Sequence, residues 1–79
     1  MNQPNQRSVV PDPNGGWNVE KPGASRASAH LDTQAEAIDR ARDILQNDGG
    51  GELKIHDRAG RVRDQDTIAP GNDPRRSKG

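Results

Sequence analysis

One stretch of thirteen residues, Glu52–Asp64, constrains the fold more than any other part of the chain. Polar and apolar side chains alternate within it, a turn signal around Gly60 interrupts them, and the alternation then resumes. A period of two is typical of a half-buried β-strand, because successive side chains of a strand point to opposite faces. The stretch therefore predicts a β-hairpin, with strands over Glu52–Asp57 and Arg61–Gln65 joined by a three-residue turn.

A helix with well-marked ends precedes this hairpin. Thr33 and Glu36 have the spacing of a capping box, in which the N-cap hydroxyl accepts a hydrogen bond from the amide three residues later. Asp32 is an alternative N-cap residue. The glycines at 49–51 end the helix, since glycine readily adopts the left-handed conformation that follows a helix C-terminus. Between these ends, apolar residues recur at steps of three and four and form one stripe that must face a core: Ala37, Ile38, Ala41, Ile44 and Leu45.

The segment before the helix predicts three more strands. Arg7–Pro11 and Trp17–Lys21 alternate and are separated by a dense turn signal at Asp12–Gly16, so they form a second hairpin. Ser25–Leu31 contains small residues with a period of two, which predicts a third strand. Its inward side chains would be Ala27, Ala29 and Leu31.

Together these elements predict an α+β fold in the order β-β-β-α-β-β, with one helix on one face of a small, mainly antiparallel sheet. The predicted domain spans residues 7–68, and residues 1–6 and 69–79 are expected to be a disordered leader and tail. Eleven Ile, Leu and Val residues and a single aromatic residue, Trp17, suffice for one small domain of modest stability. The predicted core is Val9 or Val10, Trp17, Val19, Ala27, Ala29, Leu31, Ile38, Ala41, Ile44 or Leu45, Leu53, Ile55 and Val62, with Ile68 against the sheet edge.

Composition excludes several classes of protein. The chain has no cysteine, so disulfides, thiolate metal sites and thiol nucleophiles are excluded, and a reducing cytoplasm is the expected location. We expect neither a signal peptide nor a membrane span, because no apolar run has the length that either requires. Twelve basic and twelve acidic residues cancel, which argues against a polycation that coats nucleic acid.

The sequence predicts no enzyme. His30 and His56 are the only histidines, and with Asp57 or Asp64 they offer at most a weak metal site, since metal-ligand spacing is absent. Two solvent-facing strand histidines are the simpler interpretation. Ser25 and Ser28 lack the strand-turn-helix motif that exposes a nucleophilic serine. No catalytic residue, cofactor or metal is therefore predicted.

The alternation places a set of basic side chains on the sheet face opposite the helix, where they could follow a phosphate backbone. Aromatic side chains for base stacking are missing from this face, so a solvated surface with cross-strand charge pairs is the alternative. The predicted contact residues, for a partner or for nucleic acid, are Arg26, His30, Lys54, His56, Arg61 and Arg63.

We expect the protein to bind a macromolecule through this open face or a strand edge, with a protein partner favoured over nucleic acid. A homodimer formed by edge pairing is a further expectation, because a second copy would add the burial that a thin core lacks.

Several phrases in a fixed order resemble the bacterial domain-of-unknown-function family numbered 2188. The resemblance covers residues 9–74 and implies a small cytoplasmic bacterial or phage protein, but it supplies no activity. The glycines at 49–51 are more numerous than is usual for that family. The phrases are Val9-Val10-Pro11, Gly16-Trp17-x-Val19, Arg26-Ala27-Ser28, Asp32-Thr33-x-x-Glu36-Ala37-Ile38, Ala41-Arg42, Gly51-Glu52-Leu53-x-Ile55-His56-x-x-x-Gly60-x-Val62-Arg63-Asp64 and Asn72-Asp73-Pro74.

Overall fold

The computed structural model describes residues 5–70, which form one helix and one five-stranded sheet. The predicted α+β class and the order of elements along the chain are confirmed. The parts of the expected leader and tail at residues 1–4 and 71–79 lie outside the described residues. The elements are β1 (Gln6–Pro11), β2 (Trp17–Glu20), β3 (Ala29–Leu31), α1 (Gln34–Asn47), β4 (Gly51–His56) and β5 (Val62–Ile68).

Strand β1 lies at the centre of the sheet, whose spatial order is β3-β2-β1-β4-β5. Val9 of β1 lies opposite Val19 in an antiparallel pair and beside Ile55 of β4 in a parallel pair. The pairs β2–β3 and β4–β5 are antiparallel, so the sheet is mixed but mainly antiparallel. The parallel pair arises because α1 carries the chain from the β3 edge across one face of the sheet to β4, and the spatial order of the strands therefore differs from their order in the sequence.

Both ends of α1 are closed by hydrogen bonds from the predicted residues. The Thr33 hydroxyl accepts a hydrogen bond from the Glu36 amide at 3.1 Å, as the capping box predicts. At the other end, Gly50 donates its amide to the Leu45 carbonyl and Gly49 donates its amide to the carbonyl three residues before it. Gly49 has φ +94°, so these bonds form a Schellman motif that stops the helix before β4.

The core lies between α1 and the inward side of the sheet. Most of the predicted core is confirmed, and Ile68 is also buried. Ala29, Leu31, Ile38 and Ile44 pack against this core from partly buried positions. The fully or almost fully buried apolar side chains are Val9, Trp17, Val19, Ala37, Ala41, Leu45, Leu53, Ile55 and Ile68.

The third strand is shorter than predicted. Residues 25–28 form a loop rather than a strand, and Ala27 is exposed, so its predicted place in the core is wrong. The strand begins only at Ala29, after the Ser28 amide donates to the Val19 carbonyl. Small and polar side chains before Ala29 bury too little apolar surface to hold the chain against β2.

Val62 was also predicted to point inward, and this too is wrong, since its side chain is 52% exposed. It lies opposite His56, and cross-strand partners share one face of a sheet. A register shift beside His56 then gives β5 one extra residue, Arg63, so that Asp64 lies opposite Ile55. From Asp64 onward the even-numbered residues of β5 share the helix side, which brings Ile68 into the core.

Arg7 is a buried charged residue that was not among the predicted core or site residues. Its guanidinium is 3.1 Å from the Asp48 carboxylate at the end of α1 and donates to the Asn5 side chain at 3.0 Å. A cation here is favourable, since the helix dipole places partial negative charge at the C-terminus. Arg7 shares the inward side of β1 with Val9, so the alternation of the strand already indicated this position.

Candidate functional site

The open face of the sheet is the side of the five strands that α1 does not cover. Alternation along the strands and the observed registers place polar side chains over most of it. Val10 and Val62 are its larger apolar members. The face carries Gln6, Ser8 and Val10 from β1, Asn18 and Glu20 from β2, His30 from β3, Glu52, Lys54 and His56 from β4, and Val62, Gln65 and Thr67 from β5.

Three of the six predicted contact residues lie on the open face. Lys54 and His56 are neighbours on the outer side of β4, and His30 lies opposite Asn18 on β2. Their placement follows the alternation from which they were predicted.

The placement predicted for the other three residues is wrong. Arg63 donates to the Gln34 side chain at 3.2 Å and therefore lies on the helix side, where the extra residue of β5 directs it. Arg61 lies in the hairpin turn, with its Nε atom 3.9 Å from the Asp57 carboxylate. Arg26 lies in the exposed loop before β3. The six predicted contact residues are thus divided among four parts of the surface.

Carboxylates further reduce the positive potential of the open face. Glu52 accepts hydrogen bonds from the Thr67 hydroxyl at 3.1 Å and from the Gln65 amide group at 3.4 Å. Glu20 projects from the outer side of β2, opposite Ser8. With both glutamates present, the face is close to neutral and does not form a continuous basic surface.

A groove of about 420 Å³ runs along the open face between β4 and the loop that follows β2. The loop turns at Lys21, Pro22 and Gly23, where the Ala24 amide donates to the Lys21 carbonyl at 3.0 Å and Gly23 has φ +82°. The loop and the outer side chains of β1 therefore line the same groove. The groove is lined by Gln6, Ser8, Val10, Glu20, Lys21, Pro22, Gly23, Ala24, Lys54, His56 and Val62.

His30 belongs to a polar cluster at the other end of β2. Its Nδ1 atom is 2.7 Å from the Asn18 side-chain oxygen and 3.3 Å from the Asp12 carboxylate. Asn18 donates its side-chain amide to the same carboxylate at 3.0 Å. The cluster fixes β3 and β2 to the first turn, and within residues 5–70 no group of three or more His, Asp or Glu side chains is arranged to hold a metal ion.

A second depression, of about 410 Å³, lies at the N-terminal end of α1. The Arg58 guanidinium lies 5.6 Å from the centroid of the Trp17 ring there and covers one side of the tryptophan. Two arginines and two aspartates line it, so its charges cancel and it has no preference for an ion of either sign. Its lining residues are Trp17, Asp32, Thr33, Gln34, Asp57, Arg58 and Arg63.

With this geometry established, comparison with known proteins identifies the family. The model of a family described as an uncharacterized protein conserved in bacteria (DUF2188) matches residues 7–68. The chain belongs to DUF2188. No curated protein and no solved structure matches it.

The family match spans the sheet and helix of this DUF2188 protein from Arg7 to Ile68. It therefore includes the polar cluster, both hairpin turns and every residue of the groove except Gln6. Within residues 5–70, no helix has the length and apolar character needed to cross a membrane.

The two hairpin turns of the DUF2188 chain are built in the same way. In each, an aspartate donates its amide to the carbonyl four residues later, at 3.0 Å for Asp12 and 2.8 Å for Asp57. Its side chain accepts the amide two residues later, from Asn14 at 2.8 Å and from Ala59 at 2.9 Å. A glycine with positive φ occupies the fourth position of each turn. The sequence signal for both is Asp-x-x-Gly.

These hydrogen bonds stabilise the ionised carboxylates of both turns. The bond from the Asn14 amide is the main cause that lowers the pKa of Asp12 below its ordinary value of 3.8, with further contributions from Asn18 and His30. The bond from the Arg61 amide is the main cause that lowers the pKa of Asp57.

The lowered pKa values predict that the protein loses stability in acid. Because the pKa is lower in the folded state, the contribution of each carboxylate is complete above the unfolded-state pKa near 4 and is lost as the pH falls through the folded-state pKa. In Asp57→Asn the side-chain oxygen remains but the charge does not. We expect unfolding free energies measured in urea from pH 7 to pH 2 to fall less steeply for this variant than for wild type.

Asp39→Asn, on the exposed side of α1, is the control and should follow the wild-type curve. A constant difference between Asp57→Asn and wild type across the whole pH range would contradict the role of the Asp57 charge.

Proposed function

We propose that this DUF2188 protein is a non-enzymatic binding module that holds a protein partner in the groove of its open face. The observation that carries the proposal is the exposed Val62 side chain, which lines this groove together with Val10 and with the apolar atoms of Pro22 and Ala24. Isolated apolar side chains are common on protein surfaces, whereas several in one concave site offer burial to a partner.

The charges around the groove define the kind of partner. Lys21 and Lys54 line it together with one carboxylate, Glu20, which gives a local excess of positive charge. His56 adds a side chain that donates or accepts hydrogen bonds and that contacts the Gly60 carbonyl at 3.0 Å. The partner segment that fits best presents an apolar side chain next to an Asp or Glu residue.

Nucleic acid is the alternative partner, through Arg26, Lys54, Arg61 and Arg63 against phosphates. The positions of these residues give it less support than the protein partner. Lys54 alone of the four lines the groove, and Glu20 and Glu52 on the same face repel phosphates. A nucleic-acid complex would bind with an affinity that falls steeply with salt, and this is measured by titrating duplex DNA and RNA at several salt concentrations.

Photo-crosslinking in bacterial cells tests the proposal directly. A photoreactive amino acid placed at position 62 should crosslink a protein, because the groove brings a bound segment against this side chain. The same amino acid at position 39, on the exposed side of α1, should give no such product. Val10→Ser together with Lys54→Gln should abolish the crosslink from position 62 without unfolding the domain.

The identity of the crosslinked species decides between the two partners. A protein linked through position 62 but not through position 39 supports the proposal, and nucleic acid linked through position 62 supports the alternative. Equal products from both positions, or none from position 62, would show that the open face has no partner of either kind.

A further inference from the structure

The free edge of β5 carries backbone groups and aspartate side chains that do not line the groove. This strand has seven residues, and among residues 5–70 it pairs only with β4, which leaves its other side unpaired. Edge strands present unpaired amides and carbonyls to which another strand can bind. The opposite edge of the sheet, β3, has only three residues and offers few such groups.

The register shows which amides of β5 point outward. Glu52 donates its amide to the Asn5 carbonyl on the β1 side at 2.8 Å, so its backbone groups turn away from β5. Glu52 lies opposite Thr67, and in an antiparallel pair of this type both residues direct their amides away from each other. The Thr67 amide therefore points to the free edge, and so does the Gln65 amide two residues before it.

Aspartate side chains accept hydrogen bonds from both of these outward amides. The Asp64 carboxylate accepts the Gln65 amide at 2.9 Å, and the Asp66 carboxylate accepts the Thr67 amide at 3.1 Å. The second oxygen of Asp66 is 3.4 Å from the Arg42 guanidinium, which reaches over from α1 and orients the group. The donors that an added strand would need are thus satisfied within the chain.

The sequence favours a homodimer formed by edge pairing, but the hydrogen bonds of β5 argue against this edge as its interface. We propose instead that Asp64 and Asp66 cap the β5 edge and prevent two copies of this chain from joining through it. Without the caps, two β5 strands would pair in antiparallel fashion about a twofold axis and form one continuous sheet of ten strands. Each seven-residue strand would supply its outward amides and carbonyls to such an interface.

The test compares two double variants of the full chain. Asp64→Thr with Asp66→Thr removes both carboxylates and keeps residues that favour strands, and we expect it to double the molar mass in solution. Asp64→Asn with Asp66→Asn removes the same two charges but keeps an acceptor oxygen for each amide, and we expect both this variant and the wild-type chain to be monomeric. Light scattering after size-exclusion chromatography measures the mass across a concentration series.

A proline substitution locates the interface. Gln65→Pro, added to the threonine variant, removes an outward amide that takes no part in pairing with β4, and it should restore the monomer. Urea unfolding establishes that each variant is folded. Because Asp66 also contacts Arg42, the single Asp64→Thr variant serves as the test if the double variant loses its fold.

Each other outcome contradicts the proposal. A threonine variant that stays monomeric would show that the caps restrain no pairing. An asparagine variant that dimerises equally well would show that charge repulsion, rather than capping of the amides, keeps the copies apart. Dimers that persist after Gln65→Pro would place the interface elsewhere on the molecule.

Discussion

Trp17→Ala is expected to destabilise the domain by about 3–5 kcal/mol, which is the usual cost of removing a large buried aromatic side chain. Trp17 is 4% exposed and is the only aromatic residue of the chain, so no neighbouring ring can fill the cavity. Small domains are stable by only about 5–15 kcal/mol in total. A large share of the variant molecules should therefore be unfolded at 37 °C, as measured by circular dichroism during urea and thermal unfolding.

Two control variants distinguish the effect of losing the Trp17 ring from the effect of losing its contact with Arg58. Trp17→Phe keeps an aromatic ring and should cost clearly less than the alanine substitution. Arg58→Ala removes the guanidinium that lies 5.6 Å from the ring centroid, and it should cost less than about 1 kcal/mol because such contacts are weak at exposed sites. An unchanged unfolding free energy for Trp17→Ala would be incompatible with a core centred on this residue.

After Trp17→Ala, Gly16→Ala is expected to cause the second largest loss of stability, although it adds only a methyl group. Gly16 has φ +78°, a left-handed conformation that costs an alanine about 1–2 kcal/mol. A Cβ atom there would also lie 2.6 Å from the Leu31 carbonyl oxygen and 2.9 Å from the His30 ring. Displacing this backbone and ring adds about 1–3 kcal/mol, typical of overpacking. We therefore expect a loss of roughly 2–5 kcal/mol in urea unfolding.

The adjacent glycine is a matched control for that result. Gly15 has φ +110°, but no atom lies within 4 Å of a Cβ built there. Gly15→Ala should therefore show a conformational cost without any close contact, and Gly16→Ala should be the less stable of the two variants. Equal losses for the two variants would show that β3 and His30 do not approach the turn as closely as the structure indicates.

Local signals in the sequence predicted most of the fold. The Thr33 cap, the glycines after α1 and the apolar stripe of the helix act within a few residues, and the structure confirms each of them. The parallel pairing of β1 with β4 was not predicted, because no local signal specifies which strand of one hairpin adjoins the other hairpin. That choice depends on how α1 crosses the sheet.

The open face was predicted less accurately than the core. Val62 was assigned to the interior, although a three-residue turn pairs it with His56 and so places both on one side. The length of the turn therefore predicts the outward side chain of Val62, whereas the sequence has no signal for the extra residue in β5. An inserted residue moves every later side chain of the strand to the opposite face of the sheet. The position of Arg63 on the helix side could therefore be known only from the structure.

The groove, too, depends on a feature that alternation does not reveal. The loop that lines it, after β2, consists of exposed residues such as Lys21 and Pro22. Alternation predicts the side-chain directions of a strand and not those of a loop. Among the other apolar lining residues, alternation indicated only that one of Val9 and Val10 faces away from the helix, and the structure shows that it is Val10.

The position of β1 between β2 and β4 also governs when the protein can fold during its synthesis. Val9 must meet Ile55, and the 46 residues that are added after Val9, up to and including Ile55, take roughly 2–9 s to translate. Until β4 leaves the ribosome, the hairpin of β1 and β2 lacks β4 beside β1, and the apolar side of β1 is exposed. Nascent chains of this protein therefore remain open to chaperones and proteases for seconds, and folding finishes only after the last strands emerge.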